Sequence, residues 1–278
     1  MPPALRLIRL AFRVLGTLSP QLAGRWANHL WFRPPRYTPP PRERELLARA
    51  RHLSMQHADK RIAVYTWGDG PVVLLVHGWS GRGAQMGAFV EPLVAAGFRV
   101  IAFDAPAHDQ SSGKDTNLPE VSAMILAMAH EHGPVHAVIA HSFGVVCTLN
   151  ALNEGLRVAR VVGISPPATI EGLVDKFATN LALPPPAIAA MRGYFEARFG
   201  TDLWTRFSPL RLASMARVPA LIVHDDEDSD VSWQEGETLA RAWPGAQFQR
   251  THGLGHRRVL RDPDVIAQTV RFISPAAT

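Results

Sequence analysis

A serine hydroxyl becomes a useful nucleophile when the chain exposes it and a base takes its proton. The segment Val138-Ile139-Ala140-His141-Ser142-Phe143-Gly144 meets the first condition. An apolar strand pattern runs into Ser142, and a helical pattern follows. The match is A-x-S-x-G, with Ala140 where glycine is usual. Such a strained strand-to-helix turn lifts a hydroxyl above the end of a sheet. A serine at this kind of junction can also be a helix N-cap, so the reading depends on the groups around it.

Those groups follow in a definite order. Val72-Val73-Leu74-Leu75-Val76 is an aliphatic run ending in His77-Gly78-Trp79. A second run, Ala220-Leu221-Ile222-Val223, ends in His224-Asp225-Asp226-Glu227-Asp228-Ser229-Asp230-Val231. Near the C-terminus comes His252-Gly253-Leu254-Gly255-His256. Serine, then acid, then histidine is one of several chain orders that serine hydrolases use. With these motifs the chain resembles the α/β-hydrolase fold superfamily, over roughly residues 60 to 275.

The resemblance implies an enzyme, a serine esterase-like hydrolase that cleaves carboxylic esters through an acyl-enzyme. It implies Ser142 as nucleophile, with the backbone N–H groups of Trp79 and Phe143 as oxyanion-hole donors. Gly253-Leu254-Gly255-His256 matches the family's G-x-G-H pattern and implies His256 as base, with His252 its rival. Aligning Asp225 with the family's usual glycine and Val231 with its small apolar position makes Asp228 the acid. Asp226 is the runner-up, and Asp225 and Asp230 are expected as solvated loop charges. The loop from Phe103 to Ser111 is similar to the family's D-x-P-G-H-G-x-S, with Ala107 and Asp109 where glycines are usual. Asp104 and His108 are structural in that pattern. Thioesterase, amidase, peptidase, C–C hydrolase, perhydrolase and acyltransferase chemistry can use the same parts. A non-catalytic member that binds a hydrophobic ligand is the alternative from another class.

Composition narrows the field. The chain has 278 residues, 47% hydrophobic and 19% charged, enough for one large domain with a substantial core. The single cysteine, Cys147, rules out an internal disulfide framework and reads as a small buried core residue. Cytoplasmic location is the expectation that follows. No His/Asp/Glu run has metal-ligand spacing and no glycine-rich phosphate loop follows a strand, so neither metal nor cofactor is expected. Net charge is +5, and arginines crowd the first 51 residues without the aromatic interleaving that single-stranded nucleic acid needs. Nucleic acid is therefore not an expected partner, and the resemblance implies instead a small-molecule ester with an apolar acyl or alkyl group.

The elements that must position these groups follow from periodicity. Leu5 to Leu18 predicts an amphipathic helix with Arg6, Arg9 and Arg13 on one face. Its leucines suit packing on the main domain, or peripheral contact with an anionic membrane. Arg33 to Pro41 predicts a stiff proline-rich spacer, and Arg42 to Arg51 a short helix. Strands are predicted at about 61–67, 72–76, 99–103, 135–140, 160–164, 219–223 and 246–250. Helices are predicted at about 84–96, 119–131, 143–154, 233–242 and 263–272. Such alternation implies an α/β fold: a mostly parallel, doubly wound sheet. Residues 1–59 are expected as a helical and proline-rich extension, and 60–278 as the main domain. The resemblance implies that residues 167–214, rich in aromatics and prolines, form a helical cap inserted between two strands.

Overall fold

A computed structural model describes residues 3–274. The chain forms two compact units, one from the residues up to Arg33 with Thr169–Ser208, the other from Pro34–Ala168 with the segment from Pro209 onward.

The larger unit is built on one sheet of eight strands. They are β1 (Arg51–His57), β2 (Lys60–Trp67), β3 (Val72–Val76) and β4 (Arg99–Phe103). Then come β5 (Val135–His141), β6 (Arg160–Ile164), β7 (Ala220–Asp225) and β8 (Gln247–Thr251). Their order is β1-β2-β4-β3-β5-β6-β7-β8. β1 and β2 form an antiparallel hairpin, and β2 runs antiparallel to β4. Every other pairing is parallel. Six strands thus deliver their carboxyl ends to one edge, where loops in such sheets carry ligands and catalytic groups.

Composition explains why the middle of the sheet holds. β3 is aliphatic throughout and all five residues are buried, as a parallel strand covered on both faces requires. Strand β1 was not expected from sequence: in Arg51–His57 only Met55 is buried, so no apolar alternation marks it. Its backbone pairing covers the edge of β2 instead.

The helices are α1 (Pro3–Leu18), α2 (Pro20–Trp31), α3 (Pro41–Ala48), α4 (Val90–Ala95) and α5 (Leu118–His132). They continue as α6 (Phe143–Asn153), α7 (Ile170–Leu181), α8 (Pro185–Phe199), α9 (Leu203–Arg206) and α10 (Pro209–Met215). The last are α11 (Trp233–Ala242), α12 (Gly255–Arg258) and α13 (Pro263–Ile273). The stretch expected as one helix over 84–96 is split into a 3-10 helix, Gly83–Phe89, and α4. α6 is buried from Gly144 to Ala151, and Cys147 within it is fully buried, its thiol pushed well up by desolvation. The proline-rich segment is more than a spacer. Arg36 donates to the carbonyls of Ala107, Ser111 and Gly113, lacing it to the loop after β4.

In the smaller unit α2 packs along α8 at Gly24, where a Cβ would sit 2.8 Å from the Met191 nitrogen and 2.7 Å from the Ala190 methyl. Ring contacts join Trp31 to Phe177 and Phe32 to Phe195. Among the described residues no helix is long and apolar enough to cross a membrane.

The two glycines of this helix pair should respond oppositely to one added methyl. Gly24→Ala overpacks the crossing and should cost about 1–3 kcal/mol. A methyl on Gly193, with nothing within 4 Å, should instead stabilise α8 by about 0.5–1 kcal/mol. Thermal unfolding midpoints check both, and shifts of the same sign would contradict the packing described.

Candidate active site

Ser142 follows directly on β5 with φ 52° and ψ −121°, a conformation that L-residues avoid at a cost of about 1–3 kcal/mol. Surroundings hold it there. Its N–H donates to the Ile164 carbonyl at 2.8 Å, and its carbonyl accepts from Val145 N–H at 2.9 Å. The turn also needs bare backbone beside it. A Cβ on Gly144 would lie 2.6 Å from the His77 oxygen, and one on Gly78 3.0 Å from Ser142 Cβ. Ala140, the departure from the motif, sits in regular strand opposite Val76 and Gly163.

The candidate acids and bases sort into two pairs. His256 Nδ1 meets Asp228 Oδ2 at 2.7 Å, with the Asp228 side chain fully buried and that of His256 11% exposed. His252 Nδ1 meets Asp226 Oδ1 at 2.8 Å, with the His252 side chain 79% exposed. That outer pair, with Arg250 also on Asp226, is a surface charge cluster. Asp230 lies 3.6 Å from Arg257 at the surface.

Asp228 carries more than the imidazole. Oδ1 accepts from the N–H groups of Asp230 at 2.8 Å and Val231 at 2.9 Å. Oδ2 also faces His224 Nε2 at 3.3 Å. Burial works to raise this carboxyl, but the His224, His256 and backbone donors outweigh it and hold it well below the usual range.

Asp225 is not the solvated loop charge expected from sequence. It is fully buried, and it ties the histidine loop down. Its Oδ1 accepts from Gly255 N–H at 2.7 Å and Glu227 N–H at 3.1 Å, and Oδ2 from the Thr251 hydroxyl at 2.8 Å. Burial opposes its charge, yet these donors leave its carboxyl lowered. A side chain thus links β7, β8 and α12 where the family pattern has glycine.

The loop after β4 is structural. Asp104 accepts from Gly83 N–H, the Tyr65 hydroxyl and Gln110 N–H. Burial pushes it up to about 6, against the pull of those donors. Ala107 and Asp109 occupy positive φ, 66° and 27°, where glycine carries no steric penalty. His77 Nε2 accepts from Ala105 N–H at 2.9 Å, so its Nδ1–H donates to the Gly78 carbonyl at 2.7 Å. His108 Nε2 accepts from Ser80 N–H at 3.1 Å, leaving Nδ1–H for the Pro106 carbonyl at 3.0 Å.

Trp79 stands between these elements, its ring edge-to-face with both His108 and Phe143 at 5.5 Å. Phe143 opens α6, so its N–H has no intrahelical acceptor. Among the described residues Trp79 N–H has no backbone acceptor either.

Two participants, His141 and His224, were given no role from sequence, and Asp225 was expected only as a loop charge. His141 Nε2–H donates to the His256 carbonyl at 2.9 Å, and the two rings lie 4.6 Å apart. His224 is wedged against α11, where a Cβ on Gly236 would fall 2.3 Å from its Nδ1. The available signal was position: each lies at the carboxyl end of a parallel strand.

A family model described as the alpha/beta hydrolase family matches residues 73–269. No curated protein matches the chain by sequence. Among solved structures it is similar to an esterase from Pyrococcus furiosus, with TM-score 0.65 and 19% identity over 87% of this chain and 97% of that one. A thermophilic esterase from Thermogutta terrifontis gives TM-score 0.61 and 18% identity, covering 80% and 97%. A bromoperoxidase from Bacillus anthracis gives 0.61 and 18%, covering 81% and 99%. At these identities the likeness is one of fold.

The buried histidines set an acid limit on stability. Burial, the largest cause in each case, lowers His77 well below 6.5, His108 to about 4 and His141 to about 3. Their stabilising contribution is full above 6.5 and is lost as pH falls toward those folded values. Asp104, raised from 3.8 to about 6, acts in the opposite direction and offsets one of the three protons. Between about pH 6 and 5 these four groups together take up about two protons on unfolding, on the order of 3 kcal/mol per pH unit. Urea unfolding at about pH 7 and about pH 5 should show this fall, and a stability independent of pH would contradict the neutral histidines.

Proposed function

Because the chain belongs to the alpha/beta hydrolase family, we propose that it hydrolyses carboxylic esters bearing an apolar acyl or alkyl group. Ser142 is the nucleophile, His256 the base and Asp228 the orienting acid. The observation that carries the reading is the 2.7 Å bond between His256 Nδ1 and buried Asp228. His256 is also tied by its carbonyl to His141, the residue before Ser142.

The chemistry runs in two symmetrical halves. Ser142 Oγ bonds to the ester carbon while its proton passes to His256 Nε2. Asp228 remains ionised, orients the ring and stabilises the imidazolium without accepting the proton. Its depressed carboxyl suits that role. The carbonyl oxygen becomes an oxyanion, for which the Trp79 and Phe143 N–H groups are the proposed donors. His256 then protonates the departing alkoxide oxygen and leaves an acyl-Ser142. Water repeats the sequence, with His256 again the base, and releases the acid.

Two features support particular parts of this scheme. A neutral His141 adds no positive charge beside His256 as the latter takes a proton. The half-buried rings of Trp79 and Phe143 flank Ser142 with apolar surface, which suits an apolar acyl group.

A fluorophosphonate probe with a panel of p-nitrophenyl esters graded in acyl length tests the reading. The wild type should be labelled and turn over esters. Ser142→Ala should lose the label and about 10⁶-fold in kcat with an unchanged unfolding midpoint. A wild type left unlabelled where a control esterase reacts overturns the reading in favour of a non-catalytic binder. Near-normal turnover by Ser142→Ala removes Ser142 as nucleophile.

A further inference from the structure

α1 is amphipathic, yet the face it buries is not its leucine face. Phe12 is fully buried and stacks on Trp26 at 4.1 Å, and Gly16 lies so close to Pro184 that a Cβ would meet its Cγ at 2.3 Å. Packing of the helix within the smaller unit is therefore met by Phe12 and Gly16. Leu7, Leu10, Val14 and Leu18 point elsewhere and are 68%, 58%, 51% and 78% exposed. At about 100° per residue they fall within an arc of roughly 80°, forming one stripe along the helix. Leu22, on α2, is 54% exposed as well.

Large aliphatic side chains aligned on one exposed face call for a partner, and the charge beside them says which kind. Arg6 and Arg13 are exposed and lie along one border of the stripe, while Arg9 is held by the Thr179 and Asn180 carbonyls. Arg25 on α2 is exposed too. No acidic residue precedes Glu43, whereas seven arginines do. A protein partner would have to match an apolar ridge with uncompensated positive charge alongside. An anionic bilayer offers both, acyl chains for the leucines and phosphate groups for the guanidinium ions.

We propose that the exposed Leu7/Leu10/Val14/Leu18 stripe of α1, with its arginine border, seats this protein on the surface of an anionic lipid bilayer. The helix lies in the headgroup plane, and Phe12 and Gly16 remain packed within the smaller unit. This inference is independent of the proposed hydrolase chemistry, since docking requires no turnover.

Sedimentation of the full chain with phosphatidylcholine vesicles, with or without phosphatidylglycerol, tests it. The wild type should partition onto the anionic vesicles and be released as salt rises. A Leu10→Gln/Val14→Gln/Leu18→Gln variant should lose binding at least about 10-fold, with unchanged circular dichroism and thermal midpoint, because these side chains are solvent-exposed. Arg6→Gln/Arg13→Gln should lose about 30-fold on anionic vesicles and little on neutral ones. Equal partitioning by wild type and the Gln variants overturns the proposal, as does absence of wild-type binding to anionic vesicles. If the stripe joins two copies instead, light scattering will show a concentration-dependent dimer that the triple variant abolishes, with no vesicle binding. That result also overturns it.

Discussion

A fully buried carboxylate, Asp228, is the constraint around which the loops after β7 and β8 are arranged. An ion taken out of water without partners costs several kcal/mol, so every donor around it is part of the reason the loop can exist. Two backbone N–H groups, from Asp230 and Val231, close the loop onto one oxygen. Imidazoles from His256 and His224 meet the other. His224 divides its Nε2 between this oxygen and the Val231 carbonyl at 3.0 Å, so strand and loop are fastened at one atom. A hydrogen-bonded acid in such surroundings stays charged and cannot drift, as an orienting partner for a histidine must.

Around the same edge His77, His108 and His141 are held neutral by burial. Backbone N–H groups donate to His77 and His108, which fixes which ring nitrogen carries the proton. His141 spends its Nε2–H on the His256 carbonyl. Neutral imidazoles can be buried at modest cost while supplying both a donor and an acceptor to irregular backbone. The price is sensitivity to acid, because the unfolded chain protonates what the folded one keeps neutral.

Ser142 and the loop after β4 both carry positive-φ backbone. Ser142, Ala107 and Asp109 all take positive φ, two of them where the family pattern has glycine. Two of them are held by neighbours: Ser142 by β6 and by the glycines at 78 and 144, Ala107 by the Ser112 carbonyl and Arg36. Asp225 likewise replaces a permissive glycine with a side chain that bonds two loops together. Polar cross-links here substitute for backbone freedom.

The amino-acid sequence by itself determined the elements and their order. Short aliphatic runs bounded by turn residues, such as Val72–Val76, read as strands buried on both faces, and parallel strands deliver their carboxyl-end loops to one edge. The resemblance of its motifs to the α/β-hydrolase pattern made Ser142, Asp228 and His256 candidates, with Asp226 and His252 as rivals. β1 escaped detection because one buried residue in seven leaves no period to read. Only the tertiary structure separates His256 and Asp228 as a buried pair from His252 and Asp226 as a surface one, because spacing along the chain carries neither burial nor distance. It also decided which face of α1 is covered. Periodicity marks an apolar stripe, but the close approach of Gly16 to Pro184 turned Phe12 inward and left the leucines out.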